Sequence, residues 1–393
     1  MAAVTATTGP VRYMQGIAVP AESVRPPEFF ARTRRRTFNE SSQTWNGFGG
    51  SNTWELKKSD IIAAAVVRFT GTLTTAKGTG AINTTARWPY DMLKAVRFTA
   101  NGASNVINVS GNKLKVREMA KKSDFNDRGV SQTVAGAAVT QGTLSSSSES
   151  WGVGSNTTNI ADGSYPVDLY WVVPIAEDEI DLSGAIFAAT SSTDLTIQVD
   201  TETAANLFTL TSNAAVTMTG NLQTTTIKYS IPIGSDGQIV VPDLSLFHSY
   251  IQSRTTALGT GENETRLIGQ GAGKTLLRTA FQIWNGATPA PLTMNDTNYG
   301  KIAWRYGSNE TPDEYLTGGV LRKINERMYN SDIGAVWGFG IIDFANENAF
   351  RDAVDMGTTS DLRLVTTIQN GVSLSSPAIE YVQETIFQAG GGS

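Results

Sequence analysis

Residues 61–75 hold a period of two. Ile61, Ala63, Ala65, Val67, Phe69 and Leu73 fall mostly on one parity, which predicts a long strand with one face turned to a core. A lone strand of that kind is unstable in water, so the chain must supply partners for it. It has many candidates. Residues 92–99 read as a strand turning at Asn101-Gly102 into 106–109, a hairpin, and further strands are expected at 167–173, 195–199, 207–210, 216–219 and 222–231. A second group follows at 275–284, 302–306, 334–344 and 362–368. Short strands separated by Gly, Asn and Ser predict sandwiches or barrels, and so an all-β chain with a few short helices.

Three helices are expected. Residues 112–122, with Leu114 and Met119 flanked by Lys113, Lys115, Lys121 and Lys122, suit one short helix. Pro242-Asp243-Leu244-Ser245 reads as an N-cap leading into a second at 246–253, and 312–328 reads as the longest. The chain thus divides into an N-terminal arm (1–52), a first β-rich block (53–232), a second (233–386) and a Gly-rich tail (387–393). Residues 130–159 are low-complexity Ser, Gly, Thr and Ala, including Ser145 to Ser148, and are expected to form a surface loop or insertion.

Composition narrows function by subtraction. There is no Cys, so no disulfide framework, thiol nucleophile or Cys-ligated metal is available. His248 is the only histidine, which excludes any site built on two or three imidazoles. A formal charge of −5 gives no whole-chain basis for wrapping nucleic acid, and no sequence-specific nucleic acid binding is expected. The first ten residues are polar and uncharged, and the longest apolar run, 61–67, is about a third of a membrane span, so the expectation is a chain soluble when made and not exported by a cleaved signal.

Four local features invite chemistry. Gly269-Gln270-Gly271-Ala272-Gly273-Lys274-Thr275 resembles a phosphate-binding loop, but Ile268 stands where its first Gly belongs and a strand follows where a helix is needed. It reads as a Gly-rich turn before a strand. Glu177, Asp178, Glu179 and Asp181 offer paired carboxylates for glycoside hydrolysis or Ca²⁺, set against a solvated loop with capping roles. His248 beside Phe247 and Tyr250 reads as a packed or hydrogen-bonded residue, with no nucleophile motif to serve. Arg32, Arg34, Arg35 and Arg36, interleaved with Phe29, Phe30 and Phe38, suit nucleic-acid phosphates, membrane head groups or acidic patches on a neighbouring subunit. No catalytic, cofactor or metal residues are assigned, and the chain is not expected to be an enzyme.

A set of ordered segments resembles one family. Tyr170-Trp171-Val172-Val173-Pro174-Ile175-Ala176 followed by Asp181-Leu182-Ser183-Gly184-Ala185-Ile186 is similar to the strand and Pro-bearing turn of tectivirus major capsid proteins. Leu93 to Phe98 with Ser110-Gly111-Asn112, Val241-Pro242-Asp243-Leu244-Ser245, Leu276 to Ala280 with Trp284-Asn285-Gly286, and Leu362-Arg363-Leu364 match the same family in the same order. The resemblance implies a double jelly roll: two eight-stranded sandwiches side by side, in a trimeric, pseudo-hexagonal capsomer. It also implies an outer icosahedral shell around an internal membrane and double-stranded DNA, assembled in the cytoplasm of a bacterial host. Implied partners are a second and third copy, neighbouring capsomers, penton and minor capsid proteins, and the inner membrane through Arg32, Arg34, Arg35 and Arg36. The alternative is a non-viral jelly-roll carbohydrate-binding module using exposed Trp and Tyr as stacking platforms.

Overall fold

The alternation at 61–75 extends into a single sixteen-residue strand, Ile61–Ala76, at the centre of a seven-stranded sheet. It pairs antiparallel with Gly163–Val173 on one side and with Ala215–Tyr229 on the other, and Arg35–Asn39 closes that edge. The computed structural model describes residues 12–14, 17–19, 26–100, 103–121, 130–134, 137–141, 150–151, 153, 156–189, 194–233, 239–256, 258–267, 273–286, 289–305, 315–329, 332–345, 353–357 and 361–388.

Facing that sheet is the first half of a ten-stranded one: Ser51–Glu55, Leu195–Thr201, Leu93–Ala100 and Ala103–Val109. The apolar faces of the two sheets meet in a core that includes Trp54, Phe69, Val96, Phe98, Leu169, Trp171 and Ile197. The second half of the ten-stranded sheet holds Leu246–Thr255, Ala378–Gln388 and Lys274–Asn285. A four-stranded sheet of Gly261–Arg266, Arg363–Ile368, Tyr299–Arg305 and Leu316–Thr317 covers it, over a second core around Phe281, Ile283, Tyr299, Leu364 and Ile379. The result is a double jelly roll, mostly β with a few short helices, as expected. Its two sandwiches are continuous. Leu246–Thr255 runs parallel to Ala103–Val109 through Tyr250↔Ile107 and Ile251↔Asn108, so one sheet crosses from the first sandwich to the second.

The expected helix at 246–253 is instead this central strand, Leu246–Thr255. Asp243 does bond to a backbone N–H, but to that of Ser245 (3.0 Å), an Asx turn that feeds a strand and not a helix cap. Neighbours on both sides then satisfy its ladder, and tertiary pairing overrides the local signal. The two strands expected at 216–219 and 222–231 form one, Ala215–Tyr229. Gly220 between them reads as a turn, but it lies opposite Gly71, where a Cβ on either residue would stand under 3 Å from the facing strand and from the Phe69 ring. The glycine pair gives room for aromatic packing, with Trp45 5.2 Å from Phe69.

Two helix boundaries also shift. The longest helix begins at Gly318 and ends at Tyr329, its first turn held by Asp296, which accepts from Gly319 N at 2.7 Å; the start expected at Pro312 lies outside the described residues. The expected strand 334–344 is divided between a helical turn, Ile333–Val336, capped by Asp332, and the strand Gly340–Asp343. The helix expected at 112–122 is present as Gly111–Lys121. Within the Ser/Gly-rich stretch, Val130–Val134 pairs with Ala137–Gln141, while Ser145 to Ser148 lie outside the described residues. So do 268–272 of the phosphate-loop-like segment, after which Lys274 opens a strand.

Candidate functional site

The four arginines lie together on one edge of the first sandwich. Phe29 lies in the last turn of the short helix Pro26–Phe30, buried in one cluster with Ile61, Ala63 and Ala176 and 6.4 Å from the Tyr229 ring. The chain then turns through Arg32, whose N–H donates to Phe29 O (2.9 Å), and joins the sheet. Arg34 N donates to Ser230 Oγ (2.9 Å), Arg35 lies opposite Tyr229, and Arg36 lies opposite Lys228. Arg32, Arg34, Arg35 and Arg36 are all exposed. Arg35 pairs with Glu179 at 3.2 Å, but both side chains are more than a third exposed (53% and 38%), so this pair contributes at most about 1 kcal/mol. Charges along an edge strand also discourage unplanned pairing with another chain. The described part of the 1–52 segment is therefore built into the sheet from Arg35 to Asn39.

Of the other concentration of charge, sequence patterns singled out only Glu177 and His248. It is buried where the two sandwiches meet, and its members alternate between them. Lys113 on the Gly111–Lys121 helix is fully buried and bonded to Glu380 of the second sandwich, with Gln282 3.4 Å away. Arg87 bridges Asp91 (2.9 Å) and Glu380 (2.8 Å), and its guanidinium lies 4.2 Å from the centre of the Trp284 ring. A second group is centred on Arg278, which reaches Glu177 (2.8 Å), Glu384 (2.8 Å) and Asp343 (2.9 Å). Arg117 bonds to Glu384 and to Glu177 O, and Lys121 pairs with Glu177. His248 contacts Pro174 O through Nδ1 (2.7 Å) and Glu384 Oε1 through Nε2 (2.9 Å). The one available signal was charge out of place: Arg278 inside the apolar run 276–284, and Glu380 and Glu384 inside a strand of Ile, Tyr, Val and Phe.

Burial pushes the Glu384 carboxyl up, yet Arg117, Arg278 and the His248 bond outweigh it and hold Glu384 well below the usual carboxylate range. Burial and Glu384 push Glu177 up, and Arg278, Lys121 and Arg117 reverse this too. For Glu380 burial is again overcome, by Lys113 and Arg87, and the group is drawn down to about 2. A depressed folded-state value adds stability that is present above the unfolded value, near 4.5, and is lost as pH falls toward 2. For Glu380 the loss is on the order of 3 kcal/mol. The urea midpoint should therefore fall more steeply between pH 4.5 and 2 in the natural chain than in Glu380→Gln; parallel profiles would refute this.

The acidic cluster is not a pair of free carboxylates. Glu177 is committed to Arg278 and Lys121, and Glu179 pairs with Arg35. Asp178 and Asp181 accept from Ile180 N (2.7 Å) and Ser183 N (2.9 Å), shaping the turn. The stacking platforms that a carbohydrate-binding module needs are absent at Trp45, Trp54, Trp88, Trp171 and Trp284, all buried.

The chain is a continuous pair of jelly rolls with buried charge at their junction, a double jelly-roll fold. Residues 55–240 match the family model of the phage capsid P3 major capsid protein N-terminal region. No curated protein matches the chain in sequence. Among solved structures, the major capsid protein of Sulfolobus Turreted Icosahedral Virus is 14% identical with a TM-score of 0.63, over 90% of this chain and 97% of that one. The atomic structure of the same virus gives 0.64 at 14% identity, over 91% of each chain. VP54 of PBCV-1 gives 0.51 at 12% identity, over 91% of this chain and 95% of that one. Residues 55–240 are thus similar to a phage major capsid protein family, and the chain as a whole shares the double jelly-roll fold of these capsid proteins. The resemblance seen in the ordered segments holds at that level; the tectivirus subset is not singled out.

Proposed function

We propose that the chain forms homotrimeric, pseudo-hexagonal capsomers that tile the outer shell of an internal-membrane double-stranded DNA bacteriophage, assembled in the host cytoplasm. The observation that carries this reading is the shared sheet through Tyr250↔Ile107, backed by the buried ion pairs. It joins two similar sandwiches into one stiff block, and three such blocks present six near-equivalent corners. Trimer formation would bury on the order of several thousand Å², the scale of obligate interfaces. Contacts with neighbouring capsomers, penton and minor capsid proteins would be smaller and more polar.

Arg32, Arg34, Arg35 and Arg36 would face the inner membrane or a neighbouring subunit. Among the described residues no helix is long and apolar enough to cross a membrane, so this reading has the arginines meet lipid from its surface. Each cation near an anionic leaflet contributes about 1 kcal/mol, weakening over a Debye length. Replacing Arg32, Arg34 and Arg36 with Ser should therefore weaken binding to phosphatidylserine-containing vesicles about 100-fold at physiological salt, with the trimer intact. Equal vesicle binding and equal particle yield would remove this role. Sedimentation of the purified chain at micromolar concentration tests the larger claim: a trimer supports it and a monomer overturns it.

A further inference from the structure

We propose that His248 is a proton-operated latch that ties the loop 174–184 of the first sandwich to the second. The loop leaves the strand Gly163–Val173 at Pro174, whose carbonyl oxygen lies 2.7 Å from His248 Nδ1, while Nε2 lies 2.9 Å from Glu384 Oε1. A carbonyl oxygen and an ionised carboxylate accept hydrogen bonds and donate none. Both bonds therefore exist together only when the ring carries a proton on each nitrogen. The far end of the loop rests on the same residue. Gly184 has φ +82°, and a Cβ there would lie 2.6 Å from the His248 Cβ and 2.7 Å from its backbone N, so only glycine lets the loop return this closely.

The charged groups gathered around Glu384 come from several elements. Arg117 and Lys121 from the Gly111–Lys121 helix and Arg278 from the Lys274–Asn285 strand are the cations. Glu384 from the Ala378–Gln388 strand, Glu177 and Asp178 from the loop, and Asp343 from the Gly340–Asp343 strand are the anions. Tyr250 on His248's own strand and Tyr329 beside Asp343 stay neutral, their hydroxyl pKa values raised by burial.

The geometry also says which bond fails. A ring with one proton must turn a lone pair toward one of its two acceptors. Facing a carboxylate costs more than facing a neutral carbonyl, so the proton stays toward Glu384 and the Pro174 bond is lost. The Pro174 end of the loop then loses one of its ties, while Glu177 keeps its pairs with Arg278 and Lys121.

Because the chain has one histidine, its ring ¹⁵N resonances can be followed in the intact labelled protein without ambiguity. Hydrogen exchange of the Ala176 and Glu177 amides, which donate to Ala63 O and Ser183 O, reports on the loop. Corrected for intrinsic rates, their exchange should accelerate roughly tenfold across the ring titration, with the same midpoint. His248→Gln should abolish that step. Loop exchange with no step, a step at a different midpoint, or the same step in His248→Gln would each overturn the latch. Should the variant fail to fold, agreement or disagreement of the two midpoints in the natural chain decides alone.

Discussion

Replacing Glu384 with Leu is expected to lower the unfolding free energy by about 3–5 kcal/mol, because it leaves buried cations without their counter-charge. Glu384 is 1% exposed and is shared by Arg117, Arg278 and His248. Leucine fills much of the volume, so the loss measures stranded charge more than a cavity. The cost should be non-additive: adding Arg117→Leu to Glu384→Leu should recover part of it, since fewer uncompensated charges remain. A comparison is provided by Arg97 and Asp200, paired on the first sandwich with side chains 31% and 23% exposed. Removing Asp200 there should cost no more than about 1 kcal/mol. Urea denaturation of the purified variants makes the measurement. A Glu384→Leu cost similar to that at Asp200 would mean that the junction is hydrated and that its charges do not hold the sandwiches together.

The parts of this structure visible in the sequence are those set by local alternation. Ile61 to Leu73 and Leu195 to Val199 follow from periodicity alone, because one face of each strand is buried along its length; the Gly111–Lys121 helix is buried nearly all round, Lys113 and Lys115 included. The misread elements depend on distant partners. His248 sits on a strand because Ala103–Val109 and Ala378–Gln388 flank it, and no window around residue 248 contains either. The arginines are visible as a cluster, but their place on a sheet edge comes from pairing with residues nearly two hundred positions later. The buried ion network was the least legible. Lys113, Arg278, Glu380 and Glu384 are ordinary charges in sequence and become a junction only when two sandwiches meet.

That junction bears on what the missing cysteines mean. In the proposed capsomer the two sandwiches must keep one fixed angle, since a shell repeats any error in every copy. Without disulfides the chain can impose this by hydrophobic packing and by charge. Packing alone is permissive about register, whereas Lys113 with Glu380, and Arg278 with Glu177, Asp343 and Glu384, pair directional charged groups across and around the junction. Burying them adds little net stability compared with apolar side chains of the same size, but misalignment would leave several charges unpaired at once.

The second large effect is expected at Trp171, where Trp171→Ala should cost about 3–5 kcal/mol. The side chain is fully buried in the first core, opposite Val67 on the central strand, and its Nε1 donates to Tyr90 O at 3.2 Å. Truncation opens a cavity between the two sheets and also leaves the Tyr90 carbonyl without this donor, a loss of about 1–3 kcal/mol where water cannot replace it. Trp171→Phe separates the two contributions: it keeps most of the ring volume and removes the N–H, so it should cost less than half as much. Domains of this kind have total stabilities on the order of 5–15 kcal/mol, so the alanine variant should unfold at markedly lower urea and yield few particles. An alanine variant within about 1 kcal/mol of the natural chain would show that the sheets close over the gap, and that the aromatic strand running into Pro174 does not anchor the first sandwich.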